Sequence, residues 1–134
     1  MLEWNISETP ENVGRAIINS IFGVVQYSTM LRTIPQEQLE VMRKWMKFAS
    51  DHRETLLKSE FRPHHPELGY PVIEAESDKE LIIAVYQDNA VIDVPRRGKS
   101  VYILNASGSD SIVVRCGNKT RTVNVPCGDW KSLN

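Results

Sequence analysis

A chain of 134 residues is long enough for one modest domain, or for one small domain with a helical extension, and too short for two independent cores. Its hydrophobic fraction of 41% and charged fraction of 25% are ordinary for a globular protein, which argues against disorder and against a membrane class. Sixteen basic against seventeen acidic residues give a formal charge of −1 with no long block of one sign, so neither nucleic acid nor an anionic membrane is an expected partner. No apolar run approaches the roughly 18 residues that cross a bilayer, and the N-terminus has no basic-then-apolar leader.

Thr9-Pro10-Glu11 reads as a helix start. Threonine can cap free N–H groups, proline is tolerated at the first helical position, and glutamate complements the positive end of the helix. Val13, Ala16, Ile17, Ser20 and Ile21 then recur at three- and four-residue steps, broadened by Ile18 and Phe22, and predict a helix ending near Gly23. Val24 to Ser28 is β-branched and aperiodic, an extended or irregular stretch reaching Thr33. Thr33-Ile34-Pro35-Gln36 repeats the starting pattern as a capping box. Leu39, Met42, Trp45, Met46, Ala49, Arg53 and Leu56 follow at helical spacing and predict one long helix from Gln36 to Leu57. The β-rich half could cover one of the two apolar stripes. Covering both calls for a larger body outside this chain.

Three prolines and a glycine between Phe61 and Pro71 predict a linker or crossover. The period then changes. Runs at Glu80–Tyr86, Val91–Val94, Ser100–Asn105, Ser111–Arg115 and Thr120–Val125 are short and β-prone, spaced as in an antiparallel sandwich or barrel, with Val72–Glu76 as a further edge strand. Gly117-Asn118 fits a two-residue hairpin loop and Ser107–Asp110 a longer turn, so the last three strands should form a meander. The expected fold class is α+β, a helical segment over 1–62 followed by a small antiparallel β-sandwich over 63–134.

Little in the chain looks catalytic. Glu74 and Glu76 stand two apart on a strand and share a face, like the carboxylates of a glycosidase, but nothing nearby suggests that one of them is desolvated; a solvated strand face is expected. His64, His65 and Glu67 offer metal ligands, yet neighbours in a proline-bounded loop aim poorly at one ion. His52, next to Arg53 on the long helix, reads as a buried polar anchor or an interface contact, a structural role in preference to a chemical one. Trp4, Trp130 and Tyr86 could stack on sugar rings, whereas Trp45 belongs to the core stripe. Cys116 and Cys127 read as free buried thiols, because the proposed hairpin separates them along its strands. There is no GxSxG and no glycine-rich phosphate loop. No catalytic, cofactor-binding or metal-binding residue is assigned.

The segment from Glu8 to Pro63, especially TPENVGRAIINSIFGVVQYS followed by a long helix ending in DHRETLLKSEFRP and then by GYPVIEA, resembles the region that closes melibiase-type α-galactosidases of glycoside hydrolase clan D. The resemblance covers about half the chain. It implies that the helices end a (β/α)8 barrel of the TIM type, with an antiparallel β-domain after them. The parent it implies is a retaining hydrolase of terminal α-galactosides, with two catalytic aspartates on earlier barrel strands. None of Asp51, Asp78, Asp88 or Asp93 lies in a matching motif, so the chain alone is expected to be inactive. Sites of such barrels are assembled from loops around the whole ring.

Two further readings compete with a C-terminal fragment that supports an absent barrel. One is a carbohydrate-binding module with weak sugar binding through its aromatic residues. The other is an adaptor that docks through the long helix. The fragment reading predicts a large exposed apolar stripe on the helices, or self-association through it.

Overall fold

The computed structural model describes residues 7–23, 34–64, 71–95 and 98–133. The protein is mixed α+β. Helices α1 (Pro10–Ile18), α2 (Gln36–Asp51) and α3 (Arg53–Lys58) precede eight strands among the described residues: β1 (Glu60–His64), β2 (Val72–Glu76), β3 (Glu80–Val85), β4 (Val91–Asp93), β5 (Ser100–Asn105), β6 (Ser111–Cys116), β7 (Lys119–Asn124) and β8 (Trp130–Ser132).

Helix α1 starts as its sequence dictates. The Thr9 hydroxyl accepts a hydrogen bond from the Asn12 N–H at 3.2 Å, and Pro10 occupies the first turn. The helix ends earlier than its apolar period, at Ile18, because Asn19 and Ser20 are weak helix formers; a turn then carries Ile21 into the core. At the second helix start, Thr33 lies outside the described residues, and the cap position falls on Pro35, with no side-chain bond. The single long helix is interrupted at His52, whose φ of −117° and ψ of 20° leave the helical region. The hydrogen-bond ladder persists across the break: the His52 N–H donates to the Phe48 carbonyl and the Leu56 N–H to the His52 carbonyl. The cause of the break is tertiary. The His52 ring lies between Phe48, at 4.4 Å between centroids, and Tyr102, at 4.5 Å.

The expected linker from Phe61 is corrected at its start. Residues Glu60–His64 form β1, antiparallel to β2, and the expected boundary at 62/63 falls inside this strand. Proline 63 is tolerated because β1 is an edge strand, where a missing N–H need not break a ladder. Strand β2, expected at an edge, is second in a five-stranded sheet of order β1-β2-β3-β5-β8.

The all-antiparallel expectation is also corrected. Strand β3 pairs with β5 in parallel, Leu81 opposite Val101 and Ile83 opposite Ile103, and β4 pairs with β6 in parallel within a three-stranded sheet of order β4-β6-β7. The reason lies in how the chain alternates between sheets. It leaves the first sheet after β3, runs through β4 in the second, and returns along β5, so β3 and β5 point the same way. The meander is reduced to one hairpin, β6 to β7, where Gly117 takes the φ of +63° that the Gly-Asn loop requires. Ser107–Asp110 is a crossover between sheets. It is pinned by the buried Asn105 side chain, which donates to the Ser109 and Val125 carbonyls at 2.7 Å, and by the Gly108 N–H, which donates to Asp88 Oδ1 at 2.7 Å.

The two faces of the five-stranded sheet carry separate cores. Ile82, Ala84 and Leu104 face the helices and pack with Val13, Ile17, Ile18, Trp45, Phe48 and Leu56. Leu81, Ile83, Val85, Val101 and Ile103 face the other sheet and pack with Ile92, Ile112, Val114 and Val123. Successive strand residues thus alternate between cores, as a period of two requires. Both helical stripes are covered by this one sheet. The expected large exposed stripe is absent among the described residues, where the exposed large apolar side chains are Met46, Leu57, Phe61 and Val91. Within the predicted stripe, Met46 and Arg53 face outward, and Gln38, Phe48 and Thr55 face inward instead.

Candidate functional site

One polar constellation that brings titratable groups together sits where the helices meet the start of β3. His52 Nδ1 lies 2.8 Å from Glu80 Oε2, with both side chains largely withdrawn from water. The Thr55 hydroxyl donates to Glu80 Oε1 at 2.6 Å. Ser77 closes the β2–β3 turn, its hydroxyl accepting from the N–H groups of Lys79 and Glu80 and lying 3.1 Å from Thr55 Oγ1. A carboxylate, an imidazole and two hydroxyls are the raw materials of nucleophilic catalysis. A working relay, however, runs hydroxyl to imidazole to carboxylate, and here Thr55 bonds the carboxylate directly. The arrangement ties α2 and α3 to the sheet. His52 was legible as a polar anchor, while Thr55, Ser77 and Glu80 were not; the available signal was Thr55 three residues after His52, on the same helical face.

Glu74 and Glu76 do share a face, but that face is not solvated as expected. Their side chains are only 12% and 22% exposed and point into the gap between the sheets, beside Leu81 and Ile83. Arg62, opposite Glu74 in the register, reaches Glu74 at 3.1 Å and Glu76 at 2.8 Å, and Lys99 Nζ reaches Glu76 at 2.8 Å. The hydrogen bonds from Lys99 and then Arg62 hold the Glu76 carboxyl below its ordinary range. An acid/base pair needs one carboxyl kept protonated; with two cations on two carboxylates, this cluster works against that.

The aromatic candidates are committed to packing. The Tyr86 hydroxyl donates to the Ile18 carbonyl at 3.1 Å, and burial pushes its pKa well above the usual tyrosine value. Trp45 is fully buried and donates from Nε1 to the Gly128 carbonyl at 3.1 Å. Trp130 packs on Phe48 and Tyr102, at 5.0 and 5.8 Å between centroids, with Lys44 over its ring. Trp4, His65 and Glu67 lie outside the described residues, and His64 closes β1. Cys116 and Cys127 are free thiols, but each is half-buried and not buried as expected. Among the described residues no cluster of three or more His, Cys, Asp or Glu could hold a metal ion, and no helix is long and apolar enough to cross a membrane.

Compared with protein-family models, with curated proteins and with solved structures, the chain matches none.

Proposed function

We propose that the chain is a supporting C-terminal part of a glycoside hydrolase of the α-galactosidase kind, with its helices closing a catalytic barrel and its two sheets forming a β-sandwich that stiffens it. The sequence resemblance from Glu8 to Pro63 suggests the parent. The structural observation that supports a bracing role is the shared core of the helices and the five-stranded sheet, centred on the fully buried Trp45. Because that core already covers both helical stripes, the helices would meet a barrel through their polar faces and not through the exposed apolar stripe that the sequence predicts for a fragment. A load applied to α1 or α2 passes directly into the sheet through that core. The partner of such a brace is the remainder of the parent chain, which would hydrolyse terminal α-galactosides with two aspartates carried on other barrel strands.

The alternative of a sugar-binding module has less support, because Tyr86 and Trp130, its best platform residues, are packed against the helices. An immunoblot of source cells with an antibody against this chain tests the proposal. A band several-fold above 15.3 kDa agrees with it; a band near 15.3 kDa with no larger precursor contradicts it.

A further inference from the structure

The inner face of the three-stranded sheet changes character along its length. Antiparallel partners share a face, and β6 and β7 pair Ile112 with Val123, Val114 with Arg121, and Cys116 with Lys119. Ile112, Val114 and Val123 are buried against the five-stranded sheet. Arg121 and Lys119 therefore continue the core-facing row of β7, at positions where an apolar side chain would be expected. There the sheets part to leave a cleft of about 810 Å³, within the range of small-molecule sites. Its walls are Val94, Val101, Val114 and Leu133, with Cys116 beside them. Lys99, Lys119 and Arg121 line it too, and no acidic side chain does among the described residues. Lys99 is engaged by Glu76, so Lys119 and Arg121 carry the open positive charge.

We infer that this cleft binds a small amphipathic anion, a molecule joining one phosphate or carboxylate to an apolar body. Arg121 and Lys119 take the anionic head, and the half-buried Val94 and Leu133, backed by the buried Val101 and Val114, take the body. A guanidinium offers two parallel donors to such a head, and the apolar wall supplies the rest of the binding free energy. The inference does not depend on the parent enzyme and holds or fails separately from it. It competes with one simpler role: inward-pointing charges on an edge strand such as β7 discourage pairing with other chains.

The test is titration of the full 134-residue chain with phenyl phosphate, phenylacetate and neutral benzyl alcohol, followed by amide chemical shifts and by the rate of Cys116 alkylation. The expected result is saturation by at least one anion near or below about 1 mM. Shifts should concentrate at Val101, Val114, Thr120 and Leu133, and Cys116 alkylation should slow. Whichever anion binds more tightly identifies the head group. The Lys119→Ala/Arg121→Ala double variant should lose at least about tenfold in affinity; both side chains are exposed, so the fold survives the change. Three results would overturn the inference: no saturable anion binding, equal binding of benzyl alcohol, or affinity indifferent to the double variant. Self-association of that variant, with no anion binding by the parent chain, would assign the charges to edge protection instead.

Discussion

The two faces of the five-stranded sheet are held by different means. Toward the helices the contact is aromatic and threaded with directed polar bonds: Trp45 Nε1 to the Gly128 carbonyl, the Tyr86 hydroxyl to the Ile18 carbonyl, Arg15 Nε to the Ala106 carbonyl at 3.1 Å, and His52 to Glu80. Toward the three-stranded sheet the contact is mainly aliphatic, a layer of valine, isoleucine and leucine, with fewer directed bonds: Asn105 to the Val125 carbonyl, and the ion cluster of Glu74, Glu76, Arg62 and Lys99 in the gap between the sheets. Directed bonds fix distance and rotation, whereas aliphatic burial fixes only proximity. The helix side should therefore behave as one rigid joint, while the sheet–sheet side can part at one end, as it does beside Lys119 and Arg121.

Substitutions on the two sides should break that contrast in measurable ways. Trp45→Ala removes a fully buried indole and leaves the Gly128 carbonyl without its donor; about 4 kcal/mol should be lost in denaturant unfolding. Gly14→Ala comes next. A Cβ at Gly14 would overlap the carbonyl oxygen of Gly128, and because the obstacle is backbone, a loss of about 3 kcal/mol is expected, seen as a thermal midpoint lower by roughly 10 °C. On the opposite face, Ile103→Val deletes one methylene from a plastic aliphatic layer and should cost about 1 kcal/mol.

A smaller effect is set by pH. The Glu76 carboxyl is held below its ordinary value by Lys99 and Arg62, so the folded state binds that proton less readily than the unfolded chain does. Its contribution to stability is complete above the ordinary glutamate pKa of about 4.3 and is lost as pH falls through that value toward the lowered one. Lys99→Met should flatten this acid limb of the stability curve in thermal melts from pH 6 to about 3. Smallest of all, Lys47→Ala removes the exposed pair to Asp51 one helical turn away and should leave the melting curve unchanged.

The helices were legible in the sequence because their signals are local: the Thr9 cap, Pro10 in the first turn, and the recurrence of Met42, Trp45 and Leu56. The Gly117-Asn118 hairpin was legible for the same reason. What escaped was decided at long range. Turn residues at Ser107–Asp110 look alike whether they close a hairpin or carry the chain to another sheet, so the separation of β5 from β6 left no local trace, and neither did the parallel pairing of β3 with β5, which is set by the detour through β4. Strand β8 is three residues long and exists because β5 offers it an edge. The break at His52 follows from Glu80, 28 residues away, and from Tyr102. Among the candidate sites, Lys119 and Arg121 have the composition of a solvated strand. Only the register with Cys116 and Val114 turns them inward.

The claim that the helices and the five-stranded sheet form one joint is tested most directly by native-state amide hydrogen exchange across α2, β3 and β5. The structure predicts that the slowest amides of all three elements open together, with one shared free energy close to that of global unfolding. Exchange of the α2 amides at a markedly lower free energy than those of β3 and β5 would contradict it, and would make the helices a separate body laid against the sheet.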